Sequence, residues 1–182
     1  MRGFSLIETL VAVVILVSVM VGPLTLAQRS MRSAAYARDQ VVAGFLAEEA
    51  IEYIRAMRDG NKYEGRNWLR SFDDCIGNNM CTVDATQDRN EAIDNCRQTG
   101  RAGPLYSSRC DPLRFHKDSG RYGYSGNNAW EETRFVREVN IKTIPDGDDE
   151  NDREAKIEVR VVWQMANFPI REVVVREYIY DW

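Results

Sequence analysis

The chain has 182 residues, a formal net charge of −4 and four cysteines. Its length supports one modest folded domain in addition to a membrane segment, and its mildly acidic balance provides no excess of positive charge for binding nucleic acid. The sequence contains no nucleophile elbow, phosphate-binding loop or paired metal-binding motif, and its single histidine, His116, lies in a polar stretch. We therefore predict a protein that is not an enzyme and needs no cofactor.

The N-terminal segment is apolar and long enough to cross a membrane. No ionisable side chain occurs from Thr9 to Gln28, and about 20 helical residues at ~1.5 Å each span the roughly 30 Å of a bilayer's hydrocarbon core. Glu8 stands at the start of this segment, where an ionised carboxylate is costly unless it is paired. We therefore expect Glu8 to have a functional partner.

Cleavage between Gly3 and Phe4 would create such a partner. The new α-amino group of Phe4 would be a cation that the Glu8 carboxylate of a neighbouring copy can neutralise. Gly3 has no side chain to obstruct a protease, and the preceding Met1-Arg2 makes the leader short and basic. The sequence thus predicts a leader peptide over residues 1–3.

Two simpler interpretations of the same segment remain open. One is an ordinary secretory signal peptide cleaved after Thr25-Leu26-Ala27, and the other is a plain single-span anchor with Glu8 near the membrane interface. Glu8 argues against a secretory signal, which gains nothing from a carboxylate at the start of its apolar core. This core is also longer than the usual ~7–15 residues.

The first 20 residues, MRGFSLIETLVAVVILVSVM, resemble the class III signal of type IV prepilins and type II secretion pseudopilins. The shared features are a short basic leader ending in Gly, then Phe, then Glu four residues later, then an apolar helix. The resemblance implies cleavage between Gly3 and Phe4, N-methylation of Phe4, subunit docking through Glu8, and an apolar membrane-spanning and filament-packing helix over residues 4–28.

The cysteines indicate an oxidising compartment. They form an even set in a polar, loop-like stretch, which is typical of two disulfides, and their spacings fit no common zinc-binding pattern. The disulfide candidates are Cys75, Cys81, Cys96 and Cys110. Three pairings are possible, and Cys75–Cys81 with Cys96–Cys110 closes the shortest loops.

The arginines that follow the apolar segment point to the opposite side of the membrane. Arg29, Arg32 and Arg38 lie after it, whereas only Arg2 and the amino terminus precede it. The positive-inside rule alone would place the C-terminal domain in the cytoplasm. We give more weight to the cysteines and the family resemblance, and expect a precursor that crosses the inner membrane once with its C-terminal domain outside.

Beyond the apolar segment, the periodicity predicts that the helix resumes as an amphipathic continuation over residues 29–59. Gly22-Pro23 interrupts the apolar run, so a kink or a melted turn is expected there. Gly60 suits a C-terminal cap. The apolar face comprises Val41, Val42, Phe45, Leu46, Ala50, Tyr53, Ile54 and Met57.

Residues 60–130 are rich in Gly, Asn, Asp, Arg and Ser, and no regular period persists. We predict a cysteine-containing loop region with short elements. A cluster of basic residues occurs within it, but acidic residues interleave the cluster, so a solvated loop surface is the simpler interpretation. Its members are Arg97, Arg101, Arg109, Arg114 and Lys117.

Alternation of apolar and polar residues predicts an antiparallel sheet of three strands within residues 131–182. The apolar positions include Phe135, Val139, Ile141, Ile157, Val159, Val161 and Trp163. Residues 145–152 and 165–169 link successive strands. Arg137 falls on the apolar parity of its strand, which we interpret as a bulge or a position at the rim of the sheet.

The first linker carries four alternating acidic residues, Asp146, Asp148, Glu150 and Asp152. Oxygen-rich loops suit calcium, but the segment lacks the EF-hand spacing, and charged hairpin loops are ordinarily solvated. We therefore expect no tight metal site here, with calcium as the alternative.

Further segments resemble the minor pilins of the PilV type, namely FLAEEAIEYIRAMRD in the helix and WEETRFVREVNIK, AKIEVRVVWQ and IREVVVREYIYDW near the C-terminus. The resemblance implies an α+β, pilin-like fold in which a long kinked N-terminal helix packs on a C-terminal antiparallel sheet, with the cysteine region between them.

The function implied is a structural subunit, most similar to a minor pilin, that ends in an extracellular type IV pilus. Its implied partners are other pilin subunits, a prepilin peptidase/methyltransferase and the pilus assembly platform in the inner membrane; no nucleic acid is expected. The alternatives are a pseudopilin of a type II secretion system and a membrane-anchored binding module that never polymerises. The chemical state of the amino terminus distinguishes a subunit from a simple anchor. A processed subunit begins at an N-methylated Phe4, whereas a simple anchor keeps Met1 or loses the whole helix.

Overall fold

A computed structural model describes residues 5–96, 110–145, 153–165 and 168–182. Contacts divide the chain into two compact units, residues 1–41 and residues 42–182. One helix, α1 (Leu6–Tyr63), contributes residues to both units. We describe each unit by itself.

The first unit consists of the apolar part of α1. The helix continues through Gly22 and Pro23, so the melted turn that we considered for this position is absent. Proline lacks a backbone N–H, so one helical hydrogen bond is lost there. From Ser5 to Ala34 every side chain is exposed, which is the reverse of what an apolar sequence does in a folded core.

The second unit is built on a sheet of seven strands in which every pairing is antiparallel. The strands are β1 (Cys81–Val83), β2 (Ile93–Asn95), β3 (Pro112–His116), β4 (Tyr122–Gly123), β5 (Trp130–Ile144), β6 (Glu154–Trp163) and β7 (Arg171–Tyr180), and a 3₁₀ turn spans Asp73–Cys75. The long strand β5 pairs with β6 on one edge and with β3 and β1 on the other, and β6 pairs with β7.

The three predicted strands are confirmed as β5, β6 and β7. The region over residues 60–130 differs from the expectation of loops, because the described part of it contributes four short strands to the same sheet. Their pairing extends the sheet to β2 beyond β1 and to β4 beyond β3.

The core of the second unit lies between the C-terminal part of α1 and one face of the sheet. Side chains three or four positions apart on the helix are buried, as the periodicity predicted, and alternate residues of β5, β6 and β7 meet them. The helix contributes Leu46, Ala47, Ala50, Ile51, Ile54 and Met57, and the sheet contributes Val139, Ile141, Ile157, Val159, Val161 and Ile179. Val41 and Phe45, which the periodicity places on the buried face, are instead 57% and 66% exposed.

The helix ends four residues later than predicted, at Tyr63 rather than Asp59. Gly65, not Gly60, is the capping glycine, with φ of 68° in the left-handed region that glycine adopts without strain. The N–H of Gly65 donates to the carbonyl of Lys62 (3.0 Å) and the N–H of Arg66 to that of Asn61 (2.9 Å). This is the hydrogen-bond pattern of a Schellman motif.

Arg137 lies neither at the rim of the sheet nor in a bulge, in contrast to our expectation. Its pairing with Val161 of β6 is regular, and its side chain has no exposure to solvent. Nη1 donates to the carbonyl of Leu46 (2.7 Å) and to Oε2 of Glu49 (2.8 Å), and Nη2 donates to the carbonyl of Val83. One buried guanidinium therefore joins the helix to β5 and β1.

Tyr124 and Asp84 extend the polar cluster around Arg137. The hydroxyl of Tyr124 donates to the backbone carbonyl of Arg137 (3.4 Å), and burial raises the pKa of Tyr124 to about 12. The Asp84 carboxylate accepts from the N–H of Tyr124 (2.8 Å) and from the N–H and hydroxyl of Thr86 (2.9 and 2.6 Å). These bonds fix the segment after β1 against the segment after β4.

We predict that Arg137→Met destabilises the folded domain by about 2–3 kcal/mol, because it keeps most of the side-chain volume but leaves the Val83 carbonyl without its donor and Glu49 without its cation. Glu49→Gln, at a half-exposed position, should cost less than ~1 kcal/mol. Urea unfolding of the full-length protein in detergent measures both. An equal loss in the two variants would contradict the central role of the guanidinium.

Candidate membrane-spanning segment and disulfide-bonded domain

Helix α1 begins with a capped first turn that contains Glu8. The Ser5 hydroxyl oxygen accepts from the N–H of Ile7 (3.3 Å), and the Ser5 carbonyl accepts from the N–H groups of Glu8 (3.0 Å) and Thr9 (3.2 Å). Serine at the N-cap and glutamate three residues later form the sequence pattern of a capping box. A carboxylate in the first turn also interacts favourably with the helix dipole, by about 0.3–1 kcal/mol.

The Glu8 side chain is exposed and makes no hydrogen bond or ion pair within the described residues. The cap explains why a glutamate is tolerated at this position of an isolated helix. It does not offset transfer of the carboxylate into an apolar environment, since that costs several kcal/mol. An environment that excludes water from this turn therefore favours a cation beside Glu8.

The apolar part of α1 is long and apolar enough to cross a membrane. An 18-residue window has a mean hydropathy of 2.6, and none of it is buried. Signal sequences pass the same test of length and composition, and so do the core helices of soluble proteins, which are mostly buried. The full exposure of this window argues against the core helix of a soluble protein and is compatible with a membrane span or a signal sequence.

The hydroxyl groups inside the apolar stretch are bonded to their own helix. Thr9 donates to the Leu6 carbonyl, Ser18 to the Val14 carbonyl and Thr25 to the Gly22 carbonyl, each at 2.8 Å. Internal bonding of this kind removes the cost of placing a hydroxyl in hydrocarbon. The stretch is thus compatible with an apolar environment along its length.

Several residues that the sequence singled out lie outside the described residues. They are the cleavage and methylation positions Gly3 and Phe4, the acidic linker residues Asp146, Asp148, Glu150 and Asp152, and three of the basic residues, Arg97, Arg101 and Arg109. Of the remaining basic residues, Lys117 pairs with Glu131 at 2.6 Å. The described residues therefore leave the basic patch and the calcium alternative untested.

The cysteines pair in the order that closes the shortest loops, Cys75 with Cys81 and Cys96 with Cys110. Cys75 and Cys81 are fully buried in the main core, beside the start of β1. Cys96 and Cys110 form a separate small cluster with Val136. The first disulfide thus joins the 3₁₀ turn to β1, and the second joins the residue after β2 to the segment before β3, beside Val136 of β5.

Asn140 holds the loop closed by the first disulfide, a role that the sequence pattern does not indicate. Its Nδ2 lies 3.3, 2.9 and 2.6 Å from the carbonyl oxygens of Cys75, Gly77 and Asn79. The N–H of Gly77 in turn donates to the carbonyl of Ile141 (2.9 Å). A buried amide therefore replaces regular strand pairing where the chain is too irregular to form it.

An open groove of about 570 Å³ lies between the β1–β2 segment and Tyr124. Its lining includes the carboxylates of Asp84, Glu91, Asp94 and Asp111. Asp84 is already bonded to Thr86 and Tyr124. Within the described part of the chain, no three His, Cys, Asp or Glu side chains are grouped to hold a metal ion.

Comparison of the chain with protein-family models, with curated proteins and with solved structures found no match. The proposal below therefore depends on the residues and on the geometry of the two units.

We predict that removal of either disulfide destabilises the domain by about 2–3 kcal/mol, because the unfolded chain regains the entropy of an open loop. The variants are Cys75→Ser with Cys81→Ser, and Cys96→Ser with Cys110→Ser. Urea unfolding measures the loss, with the oxidised parent as reference.

Alkylation and mass spectrometry of untreated native material should find no free thiol. Four free thiols would refute both the pairing and the oxidising compartment.

Proposed function

We propose that the protein is a minor structural subunit of a type IV pilus, synthesised as a precursor that crosses the inner membrane once. A prepilin peptidase/methyltransferase removes residues 1–3 and methylates Phe4. The assembly platform in the inner membrane then transfers the subunit into the filament through its apolar helix. The observation that carries this proposal is Glu8, a carboxylate without a described partner at the start of an exposed apolar helix.

The energetics of Glu8 favour a subunit over a plain anchor. In a filament core, apolar helices pack side by side and water is excluded from the first turn. An unpaired carboxylate there costs several kcal/mol, whereas the helix dipole returns about 1 kcal/mol. The terminal ammonium of a neighbouring subunit's Phe4 removes the remaining cost, and it gains the same benefit from Glu8.

The disulfides support a domain outside the cytoplasm. Both are present in the described structure, and structural disulfides persist in oxidising compartments. This agrees with a precursor whose C-terminal domain faces outward, against the direction indicated by the three arginines after the apolar segment. A pseudopilin of a type II secretion system shares every one of these features. It differs in staying with the secretion machinery instead of entering a surface filament.

Glu8→Ala should abolish most incorporation into filaments, because it leaves the Phe4 ammonium without its counter-charge. Membrane insertion and processing should persist, since the change makes the helix more apolar and the cleavage position lies upstream. The measurement is the ratio of mature protein in sheared surface filaments to that in membranes. Glu48→Gln, at an exposed position of the same helix, is the matched control.

If Glu8→Ala entered filaments as well as the parent and Glu48→Gln, the carboxylate would not be the docking group. Parent protein confined to membranes with an intact Met1 would favour the plain anchor instead.

Gly3→Leu should leave unprocessed precursor in the membrane, because a bulky side chain obstructs a protease that binds the leader in extended form. Intact mass and N-terminal sequencing distinguish precursor from a chain that begins at Phe4. Normal maturation of Gly3→Leu would contradict processing at this position.

A further inference from the structure

Strand β7 is an open edge of the sheet. All ten of its residues pair with β6 without a register shift, and no described strand pairs with its other side. Natural proteins protect such edges with charged side chains, proline, bulges or a short strand. The sequence of β7, REVVVREYIY, contains no proline but has four charged residues, so a further strand fits this edge only if its charges are complementary.

The backbone orientation shows which residues face this open side. The N–H of Asp181 donates to the carbonyl of Arg153 (2.8 Å), beside the pair Glu154–Tyr180. In an antiparallel ladder, hydrogen-bonded and non-bonded pairs alternate. The odd-numbered residues of β7 therefore bond to β6, and the even-numbered residues direct their N–H and C=O groups to the open edge. The Tyr180 carbonyl accepts from Arg58 (3.1 Å), in agreement with this orientation.

The charge pattern of β7 is complementary to that of a second, antiparallel copy of the same strand. If two copies pair antiparallel about Val174, Glu172 lies opposite Arg176 of the other copy and Arg171 lies opposite Glu177. If the two copies pair about Val173 or Val175 instead, each charged residue lies opposite an uncharged one. Centres at Glu172, Arg176 or Glu177 place like charges opposite each other. Only the Val174 register pairs all four charges with an opposite charge.

The same register also brings exposed apolar side chains together at each end of the contact. Ile170, which directly precedes β7, comes opposite Tyr178 of the other copy, and the two side chains are 39% and 50% exposed. Tyr178 and Val174 lie on the face of β7 that is opposite to the core residues Val173, Val175 and Ile179.

We infer that β7 binds the β7 strand of a second copy of this chain, antiparallel and centred on Val174, to form one continuous sheet. Val174, Glu172 and Arg176 exchange backbone hydrogen bonds with Val174, Arg176 and Glu172 of the other copy. Glu172 and Arg176 already pair within the sheet, with Arg160 and Glu158, each at 2.7 Å. The contact joins these pairs into a row of alternating charges across both copies.

The symmetry decides which copies can meet. A two-fold axis that relates antiparallel strands is perpendicular to the sheet, so helix residues 42–63, which lie on one face of it, run in opposite directions in the two copies. The β7 contact therefore joins copies in which helix residues 42–63 run in opposite directions, and it stands independently of the proposed function.

Charge reversal tests the contact on full-length protein in detergent. Glu172→Arg and Arg176→Glu should each weaken self-association about tenfold or more, because both Glu172–Arg176 pairs become like-charge pairs. An equimolar mixture of the two variants should associate like the parent, since every reversed charge then faces an opposite one. Sedimentation velocity with correction for bound detergent measures the association, and Glu131→Arg on β5 should have no effect.

A cysteine at the symmetry axis tests the register separately. Residues of a hydrogen-bonded antiparallel pair have Cα atoms about 5.5 Å apart, and their Cβ atoms are farther apart than a disulfide prefers, so a short bifunctional thiol reagent is the suitable cross-linker. With this reagent Val174→Cys should form a covalent dimer, and Lys142→Cys on β5 should not.

Three results would each overturn the inference. The first is a monomeric parent at tens of micromolar. The second is association of the single variants equal to that of the parent, or no recovery in the mixture. The third is equal cross-linking at positions 174 and 142.

Discussion

The burial of the Arg137 guanidinium is the constraint on which the second unit depends. A charged group without solvent must find its partners in the protein, and these come from parts of the chain that are far apart in sequence: the Leu46 carbonyl and Glu49 on the helix, and the Val83 carbonyl on β1. The apolar contacts between helix and sheet are tolerant of small shifts, whereas these bonds are directional. They set the position of the helix on the sheet and of β1 beside β5.

The short strands depend on this arrangement because little else holds them. Strand β1 has three residues and pairs with β5 only at Cys81 and Val139, which is too little to form a stable strand by itself. The Cys75–Cys81 disulfide, the amide of Asn140 and the guanidinium of Arg137 each fasten the segment at a different point. Covalent and polar restraints thus compensate for a small apolar interface.

The sequence predicts those parts of the fold that have a repeating pattern. The period of two in β5, β6 and β7 and the helical period of α1 each extend over ten or more residues, so chance agreement is small. The strands of two to five residues within residues 60–130 are too short to show a repeating pattern. The disulfides and the pairing with β5 determine where they lie. The observed cysteine pairing is the one of the three possible pairings that closes the shortest loops.

The errors have local physical causes. Gly60 and Gly65 both fit a cap by composition, and only the backbone shows that the left-handed φ falls at Gly65. Arg137 was assigned to a bulge or the rim because a charge on the apolar face of a strand has no place in a core without a partner. Its partners lie about 54 to 91 positions away along the chain, beyond any pattern in the sequence.

The edge of β7 shows how the same charges can serve two contacts. Charged residues on an edge strand usually prevent association, because an incoming strand must desolvate them. Here Glu172 and Arg176 are already neutralised by Arg160 and Glu158 of β6, so a second strand meets ion pairs and not isolated charges. An opposite charge on that strand then adds to an existing pair, whereas a like charge competes with it. The charges on this edge therefore disfavour most strands but are complementary to an antiparallel β7 strand of a second copy.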